Sequence, residues 1–549
     1  IAGDPHLGFD FFGSPMPMHL NSLDGGGSYN VAGFAFPGTP GIALGQTDTV
    51  AWTATSAFVD VMDVFDVTRT IDGVMIGDDE HPIVRREETI VVRTPGSPAG
   101  EGVEFTEVYE DIPGVGILLP QSFLPLPLGD YVVTWSGFKG RRAAWFMELN
   151  QATDLESFEN SVRQMKEMNY NLVAISGDEL SYKVGCEAPD RGQVGGANRP
   201  WRVMDGSNPD VWWTGARLPE TALPASRGAG RGWVATANND PWGFTEDGRI
   251  DNDPFYYGAL FAPGYRASRI EEQIQRKIES EKMSMADMQS LQMDTYSTLA
   301  DHLIPVLTES MDADMEDVDP ELHENADLQA LVELLSQWNR RMEPESPAAT
   351  AFHAFLHTLG RQVLEDDIGL AYDFAVELQT VFILKIADLA MRQEHPSDHV
   401  IQSGVELEIL TAAADTANWL VEHHGAVDAI PWSEIKVTRF DSALGFGIPL
   451  FDRATAGGED TVNVAQNIQT DFNEETWFSS YVSVERVTAE IAEDGTPEMW
   501  TQYPFAAQAD PFSTETDWAN DGYIEGEYRR FWFRRSEVED NEILRTQLD

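Results

Sequence analysis

Two aspartates three positions apart, Asp60 and Asp63, are candidates for metal binding. They stand in the segment Asp60-Val61-Met62-Asp63. Calcium takes six to eight oxygen ligands and mixes carboxylates with backbone carbonyls, so this segment is typical of a hard-cation site. The competing interpretation is a solvated acidic surface, because the sequence contains 92 Asp and Glu residues in total.

Several short motifs follow one another at ordered distances along the chain. They are Asp4-Pro5-His6-Leu7, Gly38-Thr39-Pro40-Gly41, Val50-Ala51-Trp52-Thr53, Asp60-Val61-Met62-Asp63, Pro189-Asp190-Arg191, Asn238-Asn239-Asp240-Pro241 and Tyr265-Arg266-Ala267. Each motif alone is weak evidence for a function. Asp4-Pro5, for example, is an ordinary turn sequence. As a series they resemble the β chain of the penicillin acylase family of N-terminal nucleophile (Ntn) hydrolases, which includes cephalosporin and acyl-homoserine-lactone acylases.

The resemblance implies both a fold and an activity. The implied fold is α+β, an Ntn-hydrolase core of four αββα layers with a large helical insertion. The implied activity is hydrolysis of the amide of N-acylated small molecules, such as β-lactam antibiotics or N-acyl-homoserine lactones. The nucleophile in this family is a Ser, Thr or Cys at the N-terminus of the β chain, and its own α-amino group acts as the base.

The first residue, Ile1, has no nucleophilic side chain. By the family's spacing we expect the nucleophile about fifteen to twenty residues before Ile1. We also expect an α chain from the same precursor as the partner in a heterodimer. The alternative is a relative that has lost its nucleophile and has a binding or structural role.

Four residues match catalytic positions of the family. The backbone N–H of Ser56 and the side-chain amide of Asn238 correspond to the two donors that stabilise the oxyanion of acyl transfer. Arg266 corresponds to an arginine beside that Asn, and His6 to a residue that hydrogen-bonds the nucleophile's oxygen. The competing interpretations are an Asx turn before Pro241 for Asn238, a surface arginine at a helix start, and a structural histidine.

The acyl pocket, by position within the matched motifs, consists of Leu7, Ala43, Leu44 and Phe58. Penicillin G acylases have Phe at two of these positions, where this chain has Leu7 and Leu44. Aliphatic walls leave room for a flexible chain and offer less surface for aromatic stacking. The pattern therefore favours aliphatic acyl amides over penicillins with aromatic side chains, which remain the alternative.

The family's penicillin acylases also bind a calcium ion that serves a structural purpose. The matched ligands are the Asp60 and Asp63 carboxylates and the Met62 carbonyl, joined by Pro200 and Asp253 from later loops. Asp251 competes with Asp253, because the preceding loop is longer in this chain. We expect no organic cofactor.

The net charge of −56 arises from 92 acidic residues against 36 basic ones, spread along the whole chain. Such an excess opposes compaction through self-repulsion, which molar salt screens, so the composition is typical of a halophile. An acidic secreted mesophilic enzyme is the alternative. Repulsion by the acidic surface disfavours nucleic acids and anionic membranes as partners, and no apolar run reaches membrane-spanning length. We expect a secreted or cell-envelope protein, or otherwise a halophile's cytoplasmic one.

The periodicity changes twice along the chain. We predict a β-rich core at residues 1–267, with a β-like pattern to about Val133, then a helical region at residues 268–431 and a β-rich return to the core at residues 432–549. A helix is predicted from Leu155 to Met168 with Asp154 as its cap, followed by a hairpin that turns on Gly177-Asp178. The helical stripes, predicted to be core, include Ile270, Ile274, Ile278, Leu328, Leu331, Leu334, Leu335, Leu356, Leu359, Val363 and Leu364.

Overall fold

The structure is a computed structural model, in which strands and helices are numbered along the chain. It describes residues 1–8, 15–92, 102–120, 129–139, 144–228, 230–244, 249–250, 252–313, 320–393, 401, 404–441, 449–467, 476–504, 514–543 and 545–546. Asp251 lies outside the described residues. Among the described residues, no helix combines the length and apolar character needed to cross a membrane.

A seven-stranded antiparallel sheet forms the first inner layer. Its spatial order is β17 (Ala225–Arg227), β15 (Glu179–Gly185), β14 (Tyr170–Ser176), β6 (Ala51–Ser56), β5 (Leu44–Gln46), β4 (Asn30–Ala35) and β3 (Met16–Asn21). The predicted hairpin joins β14 to β15, and Gly177 has the positive φ of 57° that its turn requires.

Two smaller sheets form the second inner layer. One has the order β1 (Ala2–Gly3), β22 (Arg486–Ile491), β23 (Pro497–Gln502), β24 (Arg529–Arg530). The other has the order β19 (Pro449–Arg453), β18 (Lys436–Asp441), β21 (Trp477–Ser483), β2 (His6–Gly8), with β20 (Ala465–Asn467) also paired to β21. The layers approach closely, because a Cβ on Gly3 would lie 1.8 Å from Thr53 Oγ1 of β6.

Helices cover both outer faces of these layers. On the first sheet, α1 (Ala144–Leu149) and α2 (Leu155–Arg163) bury Trp145 and Phe158 against Trp52 and Leu172. On the second layer, α4 (Met285–Gln292) packs against β22 and β1. The order is therefore helix, sheet, sheet, helix.

The helical region is built around one apolar core. Besides α4, the helices of this region are α3 (Tyr265–Ile278), α5 (Thr298–Asp312), α6 (Pro320–His323), α7 (Ala326–Ser336), α8 (Pro347–Ile368), α9 (Tyr372–Met391) and α10 (Val405–His424). Later in the described chain come α11 (Trp432–Ile435), α12 (Thr514–Glu525) and α13 (Arg535–Asp540). Leu328, Leu331 and Leu359 are fully buried in this core. Ile278 is a correction to the predicted stripe, since it ends α3 and is 40% exposed. The division of the chain at residues 268 and 432 stays a prediction.

An eight-stranded sheet lies beside this arrangement. Its order is β10 (Val84–Val92), β11 (Val103–Ile112), β12 (Gly116–Leu118), β13 (Asp130–Trp135), β7 (Met62–Arg69), β8 (Gly73–Ile76), β9 (Asp79–Pro82), and β16 (Met204–Asp205) runs parallel to β7. Because β7 starts at Met62, the Asp60–Asp63 segment stands where the first sheet's β6 leads into this one.

The predicted helix from Leu155 is shorter than its sequence pattern indicates. Asp154 caps it in a reciprocal capping box with Ser157, as predicted, but the helix ends at Arg163. Beyond that end Met165 turns into the core, where only 1% of its surface is exposed, and this burial replaces a further helical turn.

Candidate active site

One cavity brings together predicted site residues from four separate segments of the chain. The predicted site residues that line it are His6, Leu7, Ala43, Leu44, Ser56, Phe58 and Asn238. Its volume is about 140 Å³. The segment from Asp4 to Leu7 and the C-terminal end of β6 both line the cavity.

The side chain of Asn238 is held at both ends of its amide. Its Oδ1 accepts a hydrogen bond from Arg266 Nη2 at 2.9 Å, and its Nδ2 donates to the Ser56 carbonyl at 2.8 Å. Because Oδ1 is committed to a guanidinium, the donor face of the amide is the one turned towards Ser56 and the cavity. An amide nitrogen carries two N–H groups. The Ser56 carbonyl takes one, and the other is available to a ligand.

The backbone at the cavity adopts sparsely populated conformations. Asn238 has φ 65° and Phe58 has φ 51°, and both are among four non-glycine residues with positive φ in the described part of the chain. Such conformations cost free energy and persist where the surrounding structure enforces them, frequently at functional sites. Asn tolerates this region because of its short polar side chain, whereas Phe does so at greater cost.

Arg266 reaches the cavity's edge from the first turn of α3. Besides Asn238, it donates to the Ala237 carbonyl through Nη2 at 3.0 Å, and its Nη1 lies 3.5 Å from His6 Nδ1. Burial lowers the pKa of Arg266, and Asp4 partly opposes that shift. The planar guanidinium therefore fixes two neighbouring groups at once, which a surface arginine at a helix start would not do.

His6 is held as a neutral imidazole. Burial is the main reason that the pKa of His6 lies well below its usual value, and the positive charges of Arg266 and Arg486 lower it further. Asp4 Oδ2 lies 3.8 Å from His6 Nε2. Burial raises the pKa of Asp4 to about 6, against the influence of the same two arginines.

Most of the remaining cavity wall is apolar, and the matched motifs do not predict these residues. The additional residues include Phe36, Trp145, Phe146, Leu149, Met165, Met168, Tyr170 and Leu172. They come from the position directly after β4, from α1, from the segment between α2 and β14 and from β14 itself, and none of them stands within a matched motif. Four of these residues are aromatic. The pocket therefore has aromatic surface, although Leu7 and Leu44 are aliphatic.

The Asp60 and Asp63 carboxylates meet a buried arginine. Arg191 Nη2 donates to Asp60 Oδ1 at 3.0 Å, and Arg191 Nε donates to Asp63 Oδ2 at 2.9 Å. Tyr256 donates to Asp60 Oδ2 at 2.6 Å, and the Trp213 indole N–H donates to Asp63. Burial raises the pKa of Asp60, with Arg191 opposing the shift.

These contacts do not fit a calcium ion in the described conformation. A guanidinium already supplies the positive charge, and each carboxylate oxygen of the pair has an N–H or O–H donor. Met62 is half exposed at the start of β7, Pro200 is buried and Asp253 is half-buried. The loops do meet, since Trp201 packs 5.9 Å from the Tyr256 ring. Calcium binding stays a prediction.

The comparisons with known proteins agree with this arrangement. The sequence profile described as "Penicillin amidase" matches residues 1–540. The penicillin acylase 2 proenzyme of Pseudomonas sp. (strain SE83) is 26% identical over 373 residues, which are 66% of this chain and 43% of that protein. The acyl-homoserine lactone acylase QuiP of Pseudomonas fluorescens (strain Pf0-1) is 22% identical over 361 residues, which are 62% of this chain and 40% of that protein. The chain thus spans about two fifths of the length of these curated relatives.

The structural comparison covers the complete chain. The thermostable penicillin G acylase from Alcaligenes faecalis superposes with a TM-score of 0.73 at 15% identity, covering 100% of this chain and 96% of that one. At this identity the likeness shows the fold, and it confirms the predicted α+β Ntn-hydrolase architecture. Since the family profile extends over nearly every residue, the chain belongs to the penicillin amidase family.

Proposed function

We propose that the protein containing this chain is an acylase that hydrolyses the amide bond of N-acylated small molecules. The observation that carries the proposal is the convergence of His6, Ser56 and Asn238 on one apolar cavity, with Arg266 fixing the Asn238 amide. The printed names of two relatives, a penicillin acylase and an acyl-homoserine lactone acylase, support this class of substrate.

The geometry supports an acyl-enzyme mechanism. We propose that the nucleophile lies upstream of Ile1 and is exposed by autocatalytic cleavage, so that its α-amino group takes its proton. Attack on the amide carbon creates an oxyanion, which accepts hydrogen bonds from the Asn238 amide and the Ser56 backbone N–H. The amine then leaves with the proton that the α-amino group took up, and water hydrolyses the acyl-enzyme through a second oxyanion at the same donors.

The acyl group would occupy the apolar part of the cavity. Met165 and Met168 line it with flexible thioether side chains, which adapt to an aliphatic chain. We therefore propose aliphatic acyl amides as the better substrates. Penicillins with aromatic side chains are the second candidate, because Phe36, Trp145 and Phe146 offer aromatic contacts.

The remaining features of the proposal rest on the family. A second chain from the same precursor would complete the heterodimer, and the protein would be secreted or held in the cell envelope. An activity on acyl-homoserine lactones would quench quorum signals, whereas an activity on penicillins would alter an antibiotic. A catalytically inactive relative remains the alternative, and an assay separates it from the enzyme.

The test uses the full-length gene product, purified in molar salt. It is incubated with N-decanoyl-homoserine lactone and, separately, with penicillin G, and the released primary amine is quantified together with the free acid. We expect equal amounts of amine and acid, with a higher kcat/KM for the decanoyl substrate. A folded protein that releases neither product would make the chain an inactive relative. A higher kcat/KM for penicillin G would overturn the aliphatic preference only.

A further inference from the structure

A second cluster of buried polar side chains lies in the helical region, away from the cavity. His353 and His357 stand one turn apart on α8, and Glu459 meets them from the segment between β19 and β20. One ligand atom of each residue lies within 4.8 Å of the other two. The exposed fractions of these residues are 0%, 4% and 2%, in the same order.

We infer that His353, His357 and Glu459 form a binding site for one divalent transition-metal ion, with Zn²⁺ the best match. Histidines at positions i and i+4 project from the same face of a helix. Two imidazole nitrogens and one carboxylate oxygen form a ligand set that suits zinc. Calcium and magnesium prefer oxygen ligands throughout, so this set disfavours them.

The distances are within reach of coordination. Zinc bonds of about 2.0–2.1 Å place the ligand atoms of a tetrahedral site roughly 3.3 Å apart. Because no pair of ligand atoms is more than 4.8 Å apart, reaching that value requires a movement of at most about 1.5 Å between any two of them. The aromatic surroundings already orient one ring, since His353 lies 4.9 Å from the Trp432 ring and 5.2 Å from the Trp477 ring.

One cationic side chain, Lys436, lies near the cluster, with its Nζ 5.7 Å from the centre of the Trp432 ring that packs on His353. Lys436 directs its Nζ to the Thr455 side chain at 2.7 Å and to the Thr455 carbonyl at 3.2 Å. Its ammonium group therefore has hydrogen-bond partners outside the three proposed ligands.

The ion would fasten an irregular segment to the helical core. Next to Glu459, Asp460 accepts a hydrogen bond from Leu299 N at 2.7 Å at the start of α5. A metal joining Glu459 to α8 would therefore hold two helices and this segment together. The competing arrangement has no metal, and the Glu459 carboxylate then lies buried beside the two imidazoles.

The experiment measures metal content and binding in the purified full-length protein, without any activity assay. The protein is prepared in chelator-free buffer, dialysed against one equivalent of Zn²⁺ or Co²⁺, and desalted. The variants are Glu459→Gln, which preserves shape, and His357→Gln. His81→Gln, in β9 of a different sheet, is the matched control, and circular dichroism reports folding for all.

We expect about one ion per chain in the wild type and in the His81 control, and a loss of at least tenfold in metal content in both site variants. The Co²⁺ form should show visible absorption bands that vanish in Glu459→Gln. The melting temperature of the wild type should rise on adding Zn²⁺, by mass action. Less than about a tenth of an equivalent in the wild type, or full metal content in a folded Glu459→Gln variant, would overturn the inference.

Discussion

The guanidinium of Arg266 decides which way the Asn238 amide faces. The variant Arg266→Met lacks the hydrogen bonds to Asn238 Oδ1 and to the Ala237 carbonyl. The amide is then free to reorient, and we predict a fall in kcat of roughly 10- to 100-fold with a smaller change in KM. Steady-state kinetics on the decanoyl substrate measures both constants. Arg276→Met, an exposed position on the same helix, is the control and should leave kcat unchanged.

Asp4 should make the stability of the fold depend on pH. Its pKa of about 6 in the folded chain exceeds its ordinary value of 3.8, so the folded state binds more protons between these limits. Stability therefore falls as the pH rises from about 4 to 6 and stays level above. A shift of this size corresponds to roughly 3 kcal/mol.

The variant Asp4→Asn should lose most of this dependence. Urea unfolding at pH 4.5 and pH 7, at one salt concentration, gives the free energy of unfolding of each protein. We expect the wild type to lose more stability than Asp4→Asn on going to pH 7. Equal losses in the two proteins would contradict the assignment.

At the scale of elements, Arg191 connects its loop to the Asp60–Asp63 segment through ion pairs with both carboxylates. Arg191→Met would leave two carboxylates buried without their cation, and we predict a loss of about 3–5 kcal/mol in the free energy of unfolding. Arg202→Met, at an exposed residue of the same loop, should lower the free energy of unfolding little.

Because Arg191 occupies the carboxylates, millimolar calcium should not raise the melting temperature of the wild type. A clear rise on adding calcium would instead support the predicted metal site.

The sequence predicted elements well where the signal was local. The Asp154 cap and the Gly177 turn depend on neighbouring residues, and both are present. The end of α2 depends on long-range burial of Met165, which no local pattern reveals.

The same distinction holds for the site. Asn238 and Arg266 were found through motifs, whereas the role of Arg191 appears only when Asp60 and Asp63 are close to it in space. In the sequence, Trp145 and Phe146 have the character of ordinary core residues, so only the fold shows that they line the cavity. The His353–His357–Glu459 cluster joins positions about a hundred residues apart, and the helical stripe alone gave no reason to single it out.

At the scale of the whole molecule, the net charge of −56 should make folding depend on salt. Lowering the salt from molar to dilute lengthens the Debye length from about 3 Å to about 30 Å, and repulsion among the acidic residues then opposes compaction. We predict that circular dichroism and thermal melting show unfolding on dialysis into dilute buffer and recovery in molar KCl. An unchanged cooperative transition in dilute buffer would remove the halophile interpretation.

Replacing Asn238 by Ala in the full-length protein tests most directly whether this cavity is an acyl-transfer site. The position is half-buried in a polar loop, so the truncation creates no large void and the circular dichroism spectrum should not change. Loss of one oxyanion donor should lower kcat by about 10²–10³-fold, with KM little affected, because the donor matters most when negative charge develops. A folded Asn238→Ala protein that keeps more than about a third of the wild-type kcat would contradict the assignment.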